Sequence, residues 1–272
     1  MTSPEISESM IKTNLFEQTQ SRKIIAQKKG FSVLEYEKDL SVTPQMAQES
    51  YFESLMNVRK RQLIIELKDD AGAIVQASEM QMIVGDIDAQ TGIKGAGDFL
   101  KKIVDSAVTK ETVVKPYYRG DGLLVLEPTY RYIDLIDLCD WEDGIVIEDG
   151  MFLACEDTVE METISRKTIS SAVFGKEGLF NSVLYGEGIL ALESPVPGDE
   201  LVEIDLDDDM IKIDGNMAIA WSPGLRLTVQ KSFNTLVGSL VSGEGLVNVY
   251  EGTGKVIMAP VRSDKGMSAS GE

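Results

Sequence analysis

The stretch Leu184-Tyr-Gly-Glu-Gly-Ile-Leu-Ala-Leu-Glu193 places Gly, an acid and Gly directly before an apolar run. The same order occurs in Tyr118-Arg-Gly-Asp-Gly-Leu-Leu-Val-Leu-Glu127 and in Val241-Ser-Gly-Glu-Gly-Leu-Val-Asn-Val-Tyr250. A strand-like run follows each glycine pair, whereas a dinucleotide-binding fingerprint requires a helix at that place. Glycines in a strand pattern are typical of a bulge, a sharp corner or a close backbone approach. The three copies therefore predict one geometric device, the turning of a sheet at a corner, used three times.

A second element recurs between these glycine pairs. The segments Ile145-Val-Ile-Glu-Asp-Gly-Met-Phe-Leu-Ala-Cys155 and Ile211-Lys-Ile-Asp-Gly-Asn-Met-Ala-Ile-Ala-Trp221 both predict a short strand, an Asp-Gly turn and a second strand, which together form a hairpin. The segment Ile74–Val84 is a weaker copy without the glycine. Three units of this kind fill residues 62–261. The expected fold is all-β, a β-sandwich or double-stranded β-helix of three similar antiparallel units with one or two short helices.

The pattern divides the chain into an N-terminal extension over residues 1–60, a three-repeat β domain over residues 61–262 and a flexible tail over residues 263–272. Within the extension, the run Lys23–Tyr36 predicts a hairpin that turns near Lys29-Gly30.

The extension also contains a helix signal. Thr43 as the cap and Pro44 at the first helical position predict a helix that runs to about Lys60. Its stripe of Tyr51, Leu55 and Val58 is expected to pack on the β body or on a neighbouring subunit.

A second helix is predicted inside the repeats. Asp98 can cap the segment Asp98–Val108, in which Leu100, Ile103, Val104 and Ala107 share one face. The preceding loop, Thr91-Gly-Ile-Lys-Gly-Ala-Gly97, could bind an anion at the helix N-terminus, but a hinge or a close-packed loop explains its glycines more simply.

The charge is concentrated in one block of the chain. The 272 residues carry 26 Lys and Arg against 45 Asp and Glu, a net charge of −19. Residues 132–211 hold three of the basic residues (Arg166, Lys167 and Lys176) and 21 acids, which gives −18. Such a surface repels nucleic-acid phosphates and anionic membranes, and it favours cationic partners or divalent ions. A solvated surface that keeps the protein soluble is the simpler interpretation.

The composition excludes several kinds of catalytic and metal-binding site. The chain has no histidine, which excludes Ser-His and Cys-His nucleophile pairs and imidazole metal ligands. Cys139 and Cys155 are too few for a four-thiolate zinc site, and we expect both thiols to be reduced. The acidic runs Asp205–Asp209 and Asp86–Gln90 lack the glycine that an EF-hand loop has at its sixth position.

No residue is therefore assigned to a catalytic, cofactor-binding or metal site, and no cofactor is expected. Trp141 and Trp221 are expected to be core or interface residues rather than substrate platforms. The polar, acidic first ten residues lack the cationic region of a targeting signal, and the apolar runs are too short to span a bilayer, so a cytoplasmic location is expected.

A series of motifs in order resembles one family. It consists of Gly150-Met-Phe-Leu-Ala154, Lys176-Glu-Gly-Leu-Phe-Asn181, Leu184-Tyr-Gly-Glu-Gly-Ile189, Met217-Ala-Ile-Ala220 and the closing Val241–Gly254. This series is similar to members of the altered inheritance of mitochondria protein twenty-four family. The resemblance covers residues 62–261 and implies an all-β domain like that of the tryptophan RNA-binding attenuation protein, assembled into symmetric oligomers. It implies no catalytic residues and no cofactor.

Three functional hypotheses follow. The first is a non-catalytic homo-oligomer, a trimer or another multiple, that serves as a scaffold or binding module without nucleic acid or membrane insertion. The second is an enzyme that uses carboxylates alone on a sugar or a cationic small molecule, which requires a concave pocket with two facing acids and a raised carboxyl pKa. The third, by analogy of fold, is RNA binding, which requires a basic stripe with stacking aromatic residues.

Overall fold

The computed structural model describes residues 12–90, 115–165, 180–214, 217–231 and 246–261. In chain order the strands are β1 (Arg22–Lys28), β2 (Phe31–Tyr36), β3 (Arg61–Val75), β4 (Met80–Gln90), β5 (Tyr117–Leu126), β6 (Tyr132–Asp137), β7 (Ile145–Ile147), β8 (Phe152–Glu156), β9 (Val159–Ser165), β10 (Phe180–Gly186), β11 (Ile189–Ser194), β12 (Val202–Asp214), β13 (Ala218–Trp221), β14 (Arg226–Lys231) and β15 (Leu246–Met258). One α-helix, α1 (Ala47–Leu55), lies between β2 and β3 in this part of the chain.

The strands form two antiparallel sheets, which confirms the all-β class. The first sheet runs in the order β1-β2-β3-β8-β11-β6, with β5 paired to β3 and β4 paired to β5. The second runs β12-β15-β13-β7-β10-β9, with β14 paired to β15. The chain crosses between the sheets repeatedly from β6 to β12, so residues distant in sequence meet along the line where the sheets join.

Apolar side chains from both sheets close the core. The largest junction cluster includes Leu138, Trp141, Ile145, Phe152, Cys155, Leu190 and Ile219. Trp221 lies in a neighbouring cluster, where its ring meets the edge of Tyr250 at a centroid distance of 5.2 Å. Both tryptophans are buried, as the sequence predicts. Neither cysteine is in a disulfide, also as predicted, and Cys155 is buried whereas Cys139 is exposed.

The N-terminal hairpin is confirmed and extends the first sheet. β1 pairs with β2 on either side of the turn at Lys29-Gly30, and β2 then pairs with β3 from Phe31 opposite Ile65. The helix is shorter than the sequence predicts. It begins after Met46, whose amide hydrogen-bonds the carbonyl of Thr43, so Thr43 and Pro44 precede the helix and do not cap it.

The predicted hairpins at Asp149-Gly150 and near Asp214 are wrong, although their strands exist. β7 pairs with β10 and β13, whereas β8 pairs with β3 and β11, so the turn at Gly150 carries the chain from one sheet to the other. β12 and β13 both pair with β15 and not with each other. A short apolar run predicts a strand but not the strand that pairs with it, because the expected and the observed partner strands have equally apolar faces.

The first two glycine pairs do bend the structure. Gly120 and Gly122 lie opposite a bulge of β3, and an added Cβ at Gly120 would come within 2.0 Å of the Asp86 carbonyl oxygen. Gly186 and Gly188, both with positive φ, flank the crossing from β10 in one sheet to β11 in the other. The third pair, Gly243 and Gly245, lies outside the described residues.

Two other predicted features also lie outside the described residues, namely the loop 91–97 and the helix 98–108. Within the described ranges, no helix is both long enough and apolar enough to cross a bilayer.

Candidate functional site

Two hollows open where the sheets join, on either side of Glu187. The first has a volume of about 410 Å³ and the second about 470 Å³, both within the usual size range of ligand pockets. The crossing at Glu187 is fixed to the neighbouring crossing, because Thr158 Oγ1 donates a hydrogen bond to the Glu187 carbonyl at 2.6 Å. The first hollow is lined by Lys29, Ala71, Gly72, Glu156, Asp157, Thr158 and Glu187.

The carboxylates of the first hollow are already engaged. Glu156 accepts a hydrogen bond from the Ile189 amide at 2.8 Å and lies 3.5 Å from Lys29 Nζ. The Tyr117 hydroxyl donates to Asp157 at 2.9 Å, and burial, with this hydrogen bond second, raises the pKa of Tyr117. These partners hold the two acids as structural groups, whereas acid/base catalysis requires a pair of acids that face each other across the space for a substrate.

The second hollow is acidic and partly aromatic. Its lining consists of Leu138, Cys139, Trp141, Glu142, Asp143, Gly144, Tyr185, Gly186 and Glu187. The Lys255 ammonium lies 5.4 Å from the Trp141 ring centre. The thiol of Cys139 is not activated here, because the hydrogen bond with Asp137 and then burial raise its pKa.

The carboxyl with the clearest perturbation lies outside both hollows. Burial raises the pKa of Asp134 to about 6, while Arg61 opposes the rise and Asp199 adds to it. Asp134 Oδ2 is buried and has no hydrogen-bond partner among the described residues. A buried carboxyl beside an arginine meets the pKa condition of the enzyme hypothesis but not its geometric condition, because Asp134 lines neither hollow.

A buried arginine anchors the segment that contains α1. The side chain of Arg61 is fully enclosed, forms an ion pair with Glu35 at 2.8 Å and stacks on Tyr132 at 3.8 Å from the ring centre. Its guanidinium also donates to the Asn57 carbonyl at 3.1 Å, directly after α1. Ion pairs enclosed in this way fix one arrangement, because breaking them leaves an uncompensated buried charge.

Helix α1 is attached to the body through its polar side. Ser54 Oγ donates to the Glu37 carbonyl at 2.6 Å, and Arg59 Nε donates to the Ser54 carbonyl at 3.2 Å. Ser50 and Ser54 are the only residues of α1 that are not exposed. Ser50, Ser54 and Glu53 line a small cleft between the helix and the body.

The opposite side of α1 is apolar and faces solvent. The α1 apolar face consists of Met46, Tyr51, Phe52, Leu55 and Met56. Tyr51 is 61% exposed, Leu55 63% and Met56 76%, and the rings of Tyr51 and Phe52 contact each other edge to face. A surface helix normally turns such residues toward the core, so this helix has the reverse orientation. Of the predicted stripe, Tyr51 and Leu55 therefore do not pack on the β body, whereas Val58 lines the cleft between the helix and the body. Packing on a neighbouring subunit stays a prediction.

The comparison with known families concerns most of the chain. The profile described as Mitochondrial biogenesis AIM24 matches residues 52–261. The chain belongs to the AIM24 family. The resemblance stated from the sequence motifs is thus confirmed.

A solved structure has a similar fold. The chain is 25% identical to protein SPYM3_0169 from Streptococcus pyogenes, whose crystal structure aligns with a TM-score of 0.57 over 76% of this chain and 90% of that one. No curated protein matches the chain. The AIM24 match begins inside α1, so Met46 and Tyr51 precede it whereas Phe52, Leu55 and Met56 lie within it.

The acidic runs of this AIM24 chain that the structure describes lie on strands, with their carboxylates exposed. In the ranges that the structure describes, no three Cys, Asp or Glu residues are arranged to hold a metal ion. Asp205, Asp207, Asp208 and Asp209 are all exposed on β12. The sequence indicated the acids but gave no sign of the two hollows or of the buried Arg61. The signal that could have revealed Arg61 is its place two residues before the apolar run Leu63–Ile65.

Proposed function

We propose that this AIM24 protein is a non-catalytic β protein that works as an assembly of its own copies, as a scaffold or binding module. The observation that carries the proposal is the amount of large apolar surface left exposed around residues 40–58. Soluble monomers rarely expose a contiguous apolar patch of more than a few hundred Å², and larger patches usually mark interaction sites.

The non-catalytic part is supported by the state of the reactive groups. Burial raises the pKa of the Cys155 thiol to about 12, and the Cys139 thiol also has a raised pKa, so neither is prepared as a nucleophile. The acids of the first hollow have Lys29, Tyr117 and the Ile189 amide as partners. This arrangement of unactivated thiols and engaged acids therefore favours a pre-formed binding surface over a reaction centre.

Native mass spectrometry of gently purified protein tests the proposal. We expect a clean multiple of the 29.8 kDa chain mass. A mass of one chain at every concentration tested would contradict it. A retained small molecule at constant stoichiometry would direct attention to the hollows.

A second candidate function is a carboxylate enzyme acting on a sugar or a cationic small molecule. It is favoured by the ligand-sized volumes of the two hollows and by Glu187 between them. The test is a panel of glycosides and polyamine or amino-sugar substrates with the protein and its Glu187→Gln variant. Turnover that disappears in the variant would establish this function and overturn the non-catalytic proposal.

A further inference from the structure

The α1 apolar face lacks a partner on its own chain within the described residues. None of the nine residues of α1 is buried, although the helix contains Tyr51, Phe52 and Leu55. An isolated helix of this length is unstable in water. The contacts that attach α1 to the body are the polar contacts of Ser54, Asn57 and Arg59. The contacts of α1 with the body leave its apolar side available.

The size of this surface matches half of a small protein–protein interface. At roughly 100 Å² of exposed area for each large side chain, the five residues of the α1 apolar face present about 500 Å². Val58 and Tyr130 line the cleft on the body-facing side of α1 and do not extend this face. Two copies joined through this face would bury about 1,000 Å² in total, which reaches the lower limit for a specific protein–protein interface.

Another route to self-assembly, in which two copies pair along their β4 or β12 edges, is opposed by charge. Among the described strands, β4 pairs only with β5 and β12 only with β15, so each has an open edge. Asp86 and Asp88 are exposed on β4, and Asp207, Asp208 and Asp209 are exposed on β12. Charged side chains on an open edge discourage another strand from pairing there, and two copies of an acidic edge repel each other.

A lipid surface is a poorer match than a second copy. Helices that lie in a membrane interface carry Lys or Arg on the polar side, whereas α1 carries Glu49 and Glu53 and no basic residue. The net charge of −19 adds repulsion from anionic headgroups.

We propose that the occupant of the α1 apolar face is the same face of a second copy, related by a two-fold axis near Phe52 and Leu55. A closed two-fold contact uses one surface patch twice, which is what a single self-complementary apolar face offers. This inference rests on the proposed self-assembly, and it adds which surface is used and how many copies meet there.

Charge placed in the face tests the inference. Leu55→Glu puts two carboxylates at the centre of the contact, and because Leu55 is exposed in the single chain the fold is expected to survive. Sedimentation velocity should show a dimer for the native protein and a dissociation constant raised at least about 30-fold for Leu55→Glu. The matched control is Met210→Glu, an exposed apolar residue on β12, which should leave the dimer intact; circular dichroism and thermal unfolding check the fold of both variants.

Each outcome has a definite meaning. Dissociation by Leu55→Glu alone supports the α1 contact. An assembly that survives Leu55→Glu, or that dissociates with Met210→Glu, overturns the inference and leaves the proposed function standing. A native protein that is a single chain at every concentration overturns both the inference and the proposed function. Two further measurements then identify what covers the α1 apolar face. Flotation with phosphatidylcholine vesicles would indicate lipid, and dimerisation after removal of residues 2–11 would indicate the chain's own N-terminal segment.

Crosslinking supplies an independent measurement of the two-fold axis. In a Cys139→Ser background, Phe52→Cys and Leu55→Cys place a thiol near the axis, where Cα atoms of the two copies can approach within about 4.4–6.8 Å for a disulfide. Mild oxidation should link these variants into dimers and leave Met210→Cys unlinked. Equal linking of Met210→Cys, or none at positions 52 and 55 in a protein that assembles, would contradict the inference.

Discussion

The carboxylate of Asp121 accepts a hydrogen bond of 2.8 Å from the backbone amide of Asp69, across the bulge that bends β3. Asp121 stands between Gly120 and Gly122, and Asp69 and Asp70 have positive φ. The bulge of β3 and the glycine pair of β5 therefore fit each other. β3 supplies the extra residues, and β5 supplies the space and the hydrogen-bond acceptor.

The second sheet repeats this arrangement. β12 bulges between Leu206 and Asp209, opposite Gly254 and Gly252 of β15. Here Thr253 Oγ1, between the two glycines, accepts a hydrogen bond of 3.0 Å from the amide of Asp208. A Gly-x-Gly segment with a polar middle residue thus bends the longest strand pair of each sheet.

Gly120→Ala should strongly destabilise the fold. The new Cβ would meet the Asp86 carbonyl at 2.0 Å, and the φ of +139° is unfavourable for any residue with a side chain. We expect a loss of about 3 kcal/mol or more in the free energy of unfolding, measured by urea denaturation. Gly224→Ala, with nothing within 4 Å of the added Cβ, is the control and should change stability by less than about 0.5 kcal/mol. Equal effects of the two substitutions would show that the close approach at Gly120 is not required.

Arg61→Lys should loosen the attachment of α1. The lysine cannot reproduce the fork that reaches Glu35, the Asn57 carbonyl and the Tyr132 ring, and it leaves buried groups unpaired. We expect a loss of about 3 kcal/mol in unfolding free energy and faster amide hydrogen exchange in residues 47–57.

The control for this substitution is Arg226→Lys, at an exposed ion pair with Glu251. Surface pairs contribute little, so its effect should be below about 1 kcal/mol. Unchanged exchange in α1 of the Arg61→Lys variant would indicate that Ser54 and its neighbours suffice to hold the helix.

Asp134→Asn should stabilise the protein at neutral pH but not in acid. With its pKa raised to about 6 in the folded state and near 3.8 when unfolded, Asp134 binds a proton more readily in the folded chain. The ionisation of Asp134 therefore lowers the free energy of unfolding as the pH rises from about 4 to about 6. Above that range the free energy of unfolding is lower by roughly 3 kcal/mol. Asparagine removes the charge and hence most of this cost.

The measurement is urea denaturation of the native protein and of Asp134→Asn between pH 4 and pH 8. The stability advantage of the variant should grow between about pH 4 and about pH 6 and then level off. Glu160→Gln, at an exposed carboxylate, is the control for the loss of one negative charge. A constant difference across the interval would mean that Asp134 titrates normally.

The two thiols should differ sharply in reactivity. Burial raises the pKa of Cys155 to about 12, so at pH 8 this residue is both shielded and protonated. Cys139 is exposed. A thiol reagent should therefore modify one group per native chain and two after unfolding, and Cys139→Ser should abolish the native reaction. Rapid native modification of Cys155 would show that the junction core opens readily.

The sequence made some strands and corners predictable because their signals are local. Lys29-Gly30 marks a turn, and the pair Gly186 and Gly188 marks the crossing between sheets. The hairpin assigned at Gly150 was wrong because β8 pairs with β3 and β11 and not with β7. Long-range packing decides which of these strands becomes its partner. The pair Gly252 and Gly254 went unnoticed, since a bulge is recognisable only when the opposing strand is known.

The candidate interaction surface was only half predictable. The spacing of Tyr51 and Leu55 revealed one apolar face, but hydrophobic periodicity does not tell which side of a helix the body occupies. That depends on the polar contacts of Ser54, Asn57 and Arg61, which join residues far apart in sequence. The hollows beside Glu187 likewise arise from separate chain segments, four for the first hollow and two for the second.

The most direct test of the account is the mass of the native protein in solution, measured by sedimentation velocity over a range of concentrations beside its Leu55→Glu variant. The account predicts twice 29.8 kDa for the native protein and 29.8 kDa for the variant at the same concentration. A single mass shared by both proteins, whether of one chain or of an assembly, would contradict it.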